Sequence, residues 1–324
     1  MVNRIALGLA EDSKNAPIGL GKNLQRVFVL RRVLREIRPD IALGMMTTAN
    51  VLLALAALGL SSLCTIGAEH NHPPKHRVGF IWETLRCFTY GLLNAVTALT
   101  SETEDWIKHH TNVKRVLVIP NAVPWPLPRQ SPRLEPASVG VLGRQRLLAV
   151  GRLDRQKGFD WLIVAFAALA RSHPQWELVI LGEGLLRPSL QTQVDAEDLQ
   201  QRIFFPGQVG NIGEWYESAD LYVMSSRFEG FPNTLAEALA YGLPAVSFDC
   251  DTGPRDIVRH EIDGLLVSPG DVAAMTAALD RLMQDADLRY RFAQRAVDAR
   301  ERFSMEKVVA MWEKLFLTVL TEPK

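Results

Sequence analysis

At 324 residues the chain is long for one hydrophobic core and fits two α/β domains of about 100–200 residues each. Its 48% apolar and 22% charged content is that of a soluble globular protein. The 36 basic side chains match 36 acidic ones, so no net field selects nucleic acid or an anionic surface. The three scattered cysteines (Cys64, Cys87, Cys250) fit no metal or redox motif and imply reduced thiols. The most apolar run, residues 51–60, is about half the roughly 20 residues a bilayer span needs. With no signal-peptide pattern at the N-terminus, the expected location is cytoplasmic.

Short β-like runs alternate with amphipathic helical windows, the pattern of parallel α/β sheets. The first half predicts strands at 4–9, 41–45, 63–68, 95–100 and 115–120, with helices at 22–37 and 48–58 among those between them. Gly19 and Gly21 precede a helix without directly following a strand, so a plain loop closing onto the helix is preferred over a phosphate loop. Residues 120–136 hold six prolines and no periodicity, predicting a partly stiff interdomain linker. A second series predicts strands at 146–151, 177–182, 202–207, 221–226, 245–249 and 264–269, then helices at 271–283, 288–300 and 305–320. The expected architecture is two doubly wound sheets that bind ligand at the carboxyl ends of their strands. The boundaries are 1–123, a linker at 124–144, 145–304, and a terminal helix at 305–324.

The stretch SRFEGFPNTLAEALAYGLP, residues 226–244, places Glu229 in a loop after a strand and Glu237 eight residues on. Asn233 or Thr234 is the expected helix cap, with Gly242 ending the helix and Pro244 blocking continuation. A helix N-terminus at a strand's carboxyl end suits phosphate. Glu237, one turn in, could accept hydrogen bonds from a ribose diol, and Glu229 could face the group attached to the phosphates. The bland alternative is a solvated helix glutamate. In VGRLDRQKGFD, residues 150–160, Arg152 and Lys157 flank another loop at a strand's end and suit a diphosphate; by itself such a basic loop is more often merely solvated.

GRLDRQKG, LGEG, YESADLYVMSSRFEGFPNTLAEALAYGLPAVS and GPRDIV…DGLLVSPGD, in that order, resemble the retaining glycosyltransferases of family four. The two glutamates match that family's E-x7-E motif. The resemblance implies the GT-B fold, two Rossmann-like domains facing across a cleft, and transfer of a hexose or N-acetylhexosamine from a nucleotide-diphosphate sugar, a UDP-sugar by expectation. The acceptor would be a glycan or lipid-linked saccharide in polysaccharide biosynthesis. It further implies that Arg152 and Lys157 hold the diphosphate, Glu237 the ribose and Glu229 the transferred sugar. Backbone groups of Phe231, Asn233, Thr234 and Leu235 would complete the phosphate cradle, and the loops at Gly182-Glu183 and Gln208-Val209 would border the base. The terminal helix would cross back onto the first domain.

The first domain resembles the family less. GAEHNHPP, residues 67–74, is similar to its active-site loop, which makes His70 the candidate for hydrogen bonding the donor sugar or relaying the acceptor proton, with Glu69 as substitute and an ordinary loop histidine as the alternative. A zinc set of His70, His72 and His76 matches no common spacing. Asp249 and Asp251 form a D-x-D pair, read here as holding a loop, with Asp256 capping a short helix; no metal and no cofactor beyond the sugar nucleotide is expected. The family's opening strand and glycine-rich turn have no counterpart, so the first domain is expected to be N-terminally incomplete, through a late start or truncation. Two other functions stay open: a donor-binding scaffold relative without catalysis, and a sugar-nucleotide epimerase of the same fold. Residues 26–38 form a basic amphipathic helix that suits either peripheral contact with the inner membrane or an ordinary surface.

Overall fold

The computed structural model describes residues 16–75 and 78–322. The chain divides into two compact units, Met1–Ile119 with Ala310–Lys324, and Pro120–Val309. The strand expected at residues 4–9 and His76 lie outside the described residues.

The first unit runs α1 (Ala16–Ile37), β1 (Ile41–Met45), α2 (Thr47–Ala56), β2 (Cys64–Glu69), α3 (Phe80–Thr89), β3 (Ala95–Ala98), α4 (Ser101–His110) and β4 (Val116–Val118). Its four strands are parallel in the order β1-β2-β3-β4. Val51, Ala54, Tyr90, Leu93, Val96, Ala98 and Ile107 form a core between sheet and helices. Helix α4 shows why these segments fold: Thr100 accepts from the Thr103 amide, Glu102 and Glu104 sit in the first turn, and Lys108, His109 and His110 in the last. Cap and charges all oppose the helix dipole. Gly19 and Gly21 lie inside α1 rather than in a loop before it, because the helix already starts at Ala16 with Pro17 in its first turn, where a missing N–H costs nothing.

The second unit runs β5 (Gln145–Val150), α5 (Phe159–Leu169), β6 (Trp176–Leu181), α6 (Arg187–Ala196), β7 (Ile203–Gly207), α7 (Ile212–Glu217), β8 (Leu221–Met224), α8 (Asn233–Ala240), β9 (Ala245–Phe248), α9 (Pro254–Ile257), β10 (Gly264–Val267), α10 (Val272–Gln284), α11 (Ala286–Ala296) and α12 (Ala299–Arg302). The all-parallel sheet has the order β10-β9-β8-β5-β6-β7. The chain therefore moves outward from β5 to β7, then returns to the other side of β5 at β8. That reversal opens a crevice at the carboxyl ends of β5 and β8, the place where such sheets bind ligands. Inward residues such as Leu147, Leu178, Ile180, Val223 and Phe248 pack against Leu162 and Phe166 of α5 and Leu279 and Leu282 of α10. A last helix, α13 (Met305–Thr321), follows. From Ala310 onward it belongs to the first unit, where Cys64 Sγ donates to the Val319 carbonyl at 3.1 Å.

The proline-rich segment is not a free linker: it straps onto the second unit. The Leu127 amide donates to Tyr241 Oη (2.9 Å). Gln130 N donates to the Gly210 carbonyl, and Gly210 N to that of Pro132. Trp215 Nε1 and Asn211 Nδ2 both donate to the Leu134 carbonyl. Arg300 lies 3.7 Å over the Trp125 ring. Further on, Arg146 donates to Glu177 Oε1 (2.9 Å) and to the Pro136 and Val139 carbonyls, while the Val141 amide donates to Glu177 Oε2. Glu177 is fully buried, and this set of donors compensates its charge.

Candidate functional site

The loop after β5 starts at Gly151. Asp154 caps the single 3-10 turn Arg155–Lys157, and Gly158 opens α5 at φ 65°. A Cβ on Gly158 would lie 2.1 Å from the Ser225 carbonyl oxygen, so only glycine lets this loop lie against the end of β8. Gly182 acts similarly: at φ 135°, its Cβ would fall 2.0 Å from the Gly151 carbonyl. The strand-end loops are thereby drawn together.

Side chains then stitch the β5 and β8 loops into one body. Gln156 Nε2 donates to the Phe228 carbonyl, the Arg227 amide to the Gln156 carbonyl, and Ser225 Oγ to the Lys157 carbonyl. Arg227 makes a fork with Asp160 at 2.9 and 2.6 Å and lies 3.7 Å over the Trp161 ring. Burial raises the Asp160 pKa, but the Arg227 hydrogen bonds and charge outweigh it and hold the carboxyl below its ordinary value.

At the centre of this body Lys157 Nζ donates to Glu229 Oε1 at 2.6 Å, and Ser226 Oγ donates to the same oxygen at 2.6 Å. The Glu229 carbonyl accepts from Thr252 Oγ1. Glu229 is only 8% exposed. The sequence placed the diphosphate cation and the sugar carboxylate as separate groups; the structure makes them a pair. Arg152, by contrast, is exposed and meets Asp154 and Gln156 at 3.3 Å.

Helix α8 differs from expectation at its start. Pro232, not Asn233 or Thr234, occupies the N-cap position, and no side chain caps the helix. Asn233 Oδ1 accepts from Asn121 Nδ2, and Thr234 Oγ1 from Tyr222 Oη (2.9 Å). The Leu235 amide already donates to the Pro232 carbonyl. Phe231 and Leu235 are buried, with Phe231 edge-on to Phe303 at 5.5 Å, so their side chains pack rather than bind. Without a capping side chain, the first amides of α8 keep the positive end of the dipole available to an anion.

A cavity of about 490 Å³ lies beside this helix. Arg152, Gly182, Glu183, Val209, Thr234 and Glu237 all line it, so the structure brings six of the predicted residues around one space. Glu183 is ion-paired with Arg187. Glu237 is half-buried and accepts from Tyr216 Oη at 3.0 Å. Burial pushes its carboxyl above the ordinary range, partly offset by the Tyr216 hydrogen bond. Tyr216 and Tyr222 are fully buried, and burial raises both phenols. Sequence reasoning missed these tyrosines; their spacing in YESADLY carries no motif, and only the fold stacks them behind α8.

In the first unit His70 follows β2 and is half-buried; burial lowers its pKa, which favours the neutral ring. Glu69 is 2% exposed, accepts from Thr47 Oγ1 and Tyr90 Oη, and is pushed up by burial. It belongs to the interior of that unit rather than to an open loop. His72 Nδ1 lies 3.2 Å from Thr103 Oγ1. Among the described residues no three His, Cys, Asp or Glu side chains are grouped to hold a metal. Asp249 instead forms a fork with Arg255 at 2.9 Å. Asp256 sits within the first turn of α9 behind Gly253, which holds the N-cap position, so it does not cap that helix from the outside.

Two parallel-sheet α/β units are the architecture of the GT-B glycosyltransferases. In the second unit, a lysine–glutamate pair and a second carboxylate stand by the crevice. Residues 144–285 match the family model described as Glycosyl transferases group 1. The amylovoran biosynthesis glycosyltransferase of Erwinia amylovora is 30% identical over 296 residues, covering 90% of this chain and 82% of that one. An exopolysaccharide phosphotransferase of Streptomyces coelicolor is 33% identical over 297 residues; the match covers 90% of this chain but only 30% of that protein's length. Among solved structures, Anabaena HepE in complex with UDP superposes with a TM-score of 0.80 at 21% identity, over 90% of this chain and 82% of that one. The chain belongs to the group 1 glycosyltransferases.

Proposed function

We propose that the chain transfers a hexose or N-acetylhexosamine, with retention of anomeric configuration, from a UDP-sugar to a glycan or lipid-linked saccharide. The observation that carries this reading is the pairing of Lys157 with Glu229 at the reversal point of the second sheet, beside a cavity that holds Glu237. The cavity accepts the nucleoside, with Glu237 taking the ribose hydroxyls. The diphosphate then meets the amides at the start of α8, with Lys157 and Arg152 as its counter-charges. These groups stabilise the charge that develops as the sugar–phosphate bond breaks. Glu229, held by Lys157 and Ser226, faces the departing sugar. The UDP in the Anabaena structure and the amylovoran-biosynthesis role of the Erwinia relative support the donor and acceptor classes.

The test is turnover of UDP-hexoses and UDP-N-acetylhexosamines with saccharide and lipid-linked acceptors. An α-linked donor should give an α-linked product by NMR, and excess EDTA should leave the rate unchanged. An inverted product, or activity abolished by EDTA and restored by a divalent cation, would overturn the corresponding part of the reading.

The reading extends to an acceptor at a membrane surface. Among the described residues no helix is long and apolar enough to cross a membrane. Helix α1 leaves Leu24 and Phe28 exposed, and α3 exposes Phe80, Ile81 and Phe88 on one side. Not every α1 cation is available for lipid: Arg31 donates to the Ala56 and Leu58 carbonyls and Arg32 pairs with Glu36. Apolar insertion is therefore expected to dominate. Sedimentation with anionic vesicles should fall several-fold in the Phe80→Ser, Phe88→Ser double variant; unchanged sedimentation would remove this surface from consideration.

A further inference from the structure

Behind the cavity stand two buried phenols whose hydroxyls both act on α8. Tyr216, from α7, donates to Glu237 Oε2 at 3.0 Å; the Thr234 carbonyl lies farther away, at 3.3 Å. A phenol has one hydrogen, and the carboxylate is both nearer and the stronger acceptor. Tyr222, from β8, donates to Thr234 Oγ1. The Tyr216 ring is fixed on two sides. Tyr222 lies at 6.1 Å and 64°, and Tyr241 at 5.6 Å and 37°; Tyr241 Oη in turn accepts from the Leu127 amide of the strap. Tyr216 has no exposed surface and does not line the cavity, whereas Glu237 does. Any influence of Tyr216 on a ligand must therefore pass through the groups it holds.

We propose that Tyr216 is a positioning residue for donor recognition. Its hydroxyl engages one oxygen of Glu237 and presents the other to the nucleotide's ribose, which makes Tyr216 a determinant of selectivity for ribonucleotide over deoxyribonucleotide donors. This deepens the assignment of Glu237 to the ribose and rests on it. A carboxylate free to rotate would offer its oxygens in many directions and pay ordering entropy on binding. One already anchored at Oε2 pays less and discriminates more sharply. The anchor also has a chemical reason: burial favours the protonated acid, and the phenol's hydrogen bond favours the carboxylate, the form that accepts from the ribose 2′-hydroxyl.

The experiment is calorimetry of the full chain with UDP and 2′-deoxy-UDP. The wild type should prefer UDP by about tenfold, the discrimination expected when one charge-assisted hydrogen bond is lost. Glu237→Gln should abolish that preference; if the wild type shows none, the ribose assignment itself fails, and the Tyr216 role with it. Given wild-type preference, Tyr216→Phe should weaken UDP by about tenfold, barely change 2′-deoxy-UDP, and raise donor KM with kcat preserved. Phenylalanine keeps the ring packing, so the fold is retained. Tyr222→Phe, which loses an equally buried hydroxyl that holds Thr234 instead, should keep the ribose preference. Equal weakening of both nucleotides by Tyr216→Phe, or equal loss of preference in the two variants, would reduce Tyr216 to a structural role and overturn the proposal.

Discussion

Lys157→Ala should lower kcat by about two to three orders of magnitude, the loss seen when one preorganised charge-stabilising donor is removed from a transition state. The ammonium already sits 2.6 Å from Glu229, so the cation is in place before any donor arrives. The same substitution leaves Glu229, 8% exposed, with Ser226 as its remaining side-chain donor. Stability should therefore fall as well, by ~3 kcal/mol, as for breaking a buried pair from one side. The double variant Lys157→Met, Glu229→Gln separates the effects. It removes both charges, so its melting temperature should recover most of the loss while kcat stays low. A single variant with kcat within about fivefold of wild type would show that Lys157 only holds the fold.

Glu237→Ala acts on a different quantity. The donor KM should rise by about ten- to a hundredfold, the range for losing hydrogen bonds to a charged acceptor, with a smaller change in kcat. Because burial holds this carboxyl above its ordinary range, it gains a proton nearer to neutrality than an exposed glutamate would. Donor affinity in the wild type should therefore weaken as pH falls through that raised value, and the Ala variant should lack this acid limb. An acid limb of equal size in both proteins would place the titrating group elsewhere.

Among the described residues the strands were legible from their β-branched and apolar runs, though several of their ends were set one or two residues too late. The terminal residues of runs such as 146–151 and 221–226 turn out of the sheet to form the site loops. The spacing singled out Glu229 and Glu237, and Arg152, Gly182, Glu183, Val209 and Thr234 gather with Glu237 at one cavity. What spacing could not show is contact between loops far apart in the chain: Lys157 meets Glu229, Gln156 meets Phe228, and Tyr216 meets Glu237. The N-cap was misread because Asn233-Thr234 is a good capping pair on propensity, yet Pro232 takes that position and Tyr222 uses the threonine hydroxyl. The proline-rich stretch looked like a linker because proline removes donors. The residues between the prolines kept theirs, and Leu127, Gln130 and Leu134 use them to bond the second unit.

The strap also bears on how such enzymes can be recombined. A chimaera joined at residue 145, where the regular β5 begins, would separate Glu177 from the Val141 amide and Trp215 from the Leu134 carbonyl, replacing matched partners with foreign ones. A junction near Pro120 carries the strap along with the half it serves. Exchange of second units between relatives should therefore succeed at the earlier boundary and fail at the later one. Residues 120–144 thus belong with the second unit as one exchangeable piece.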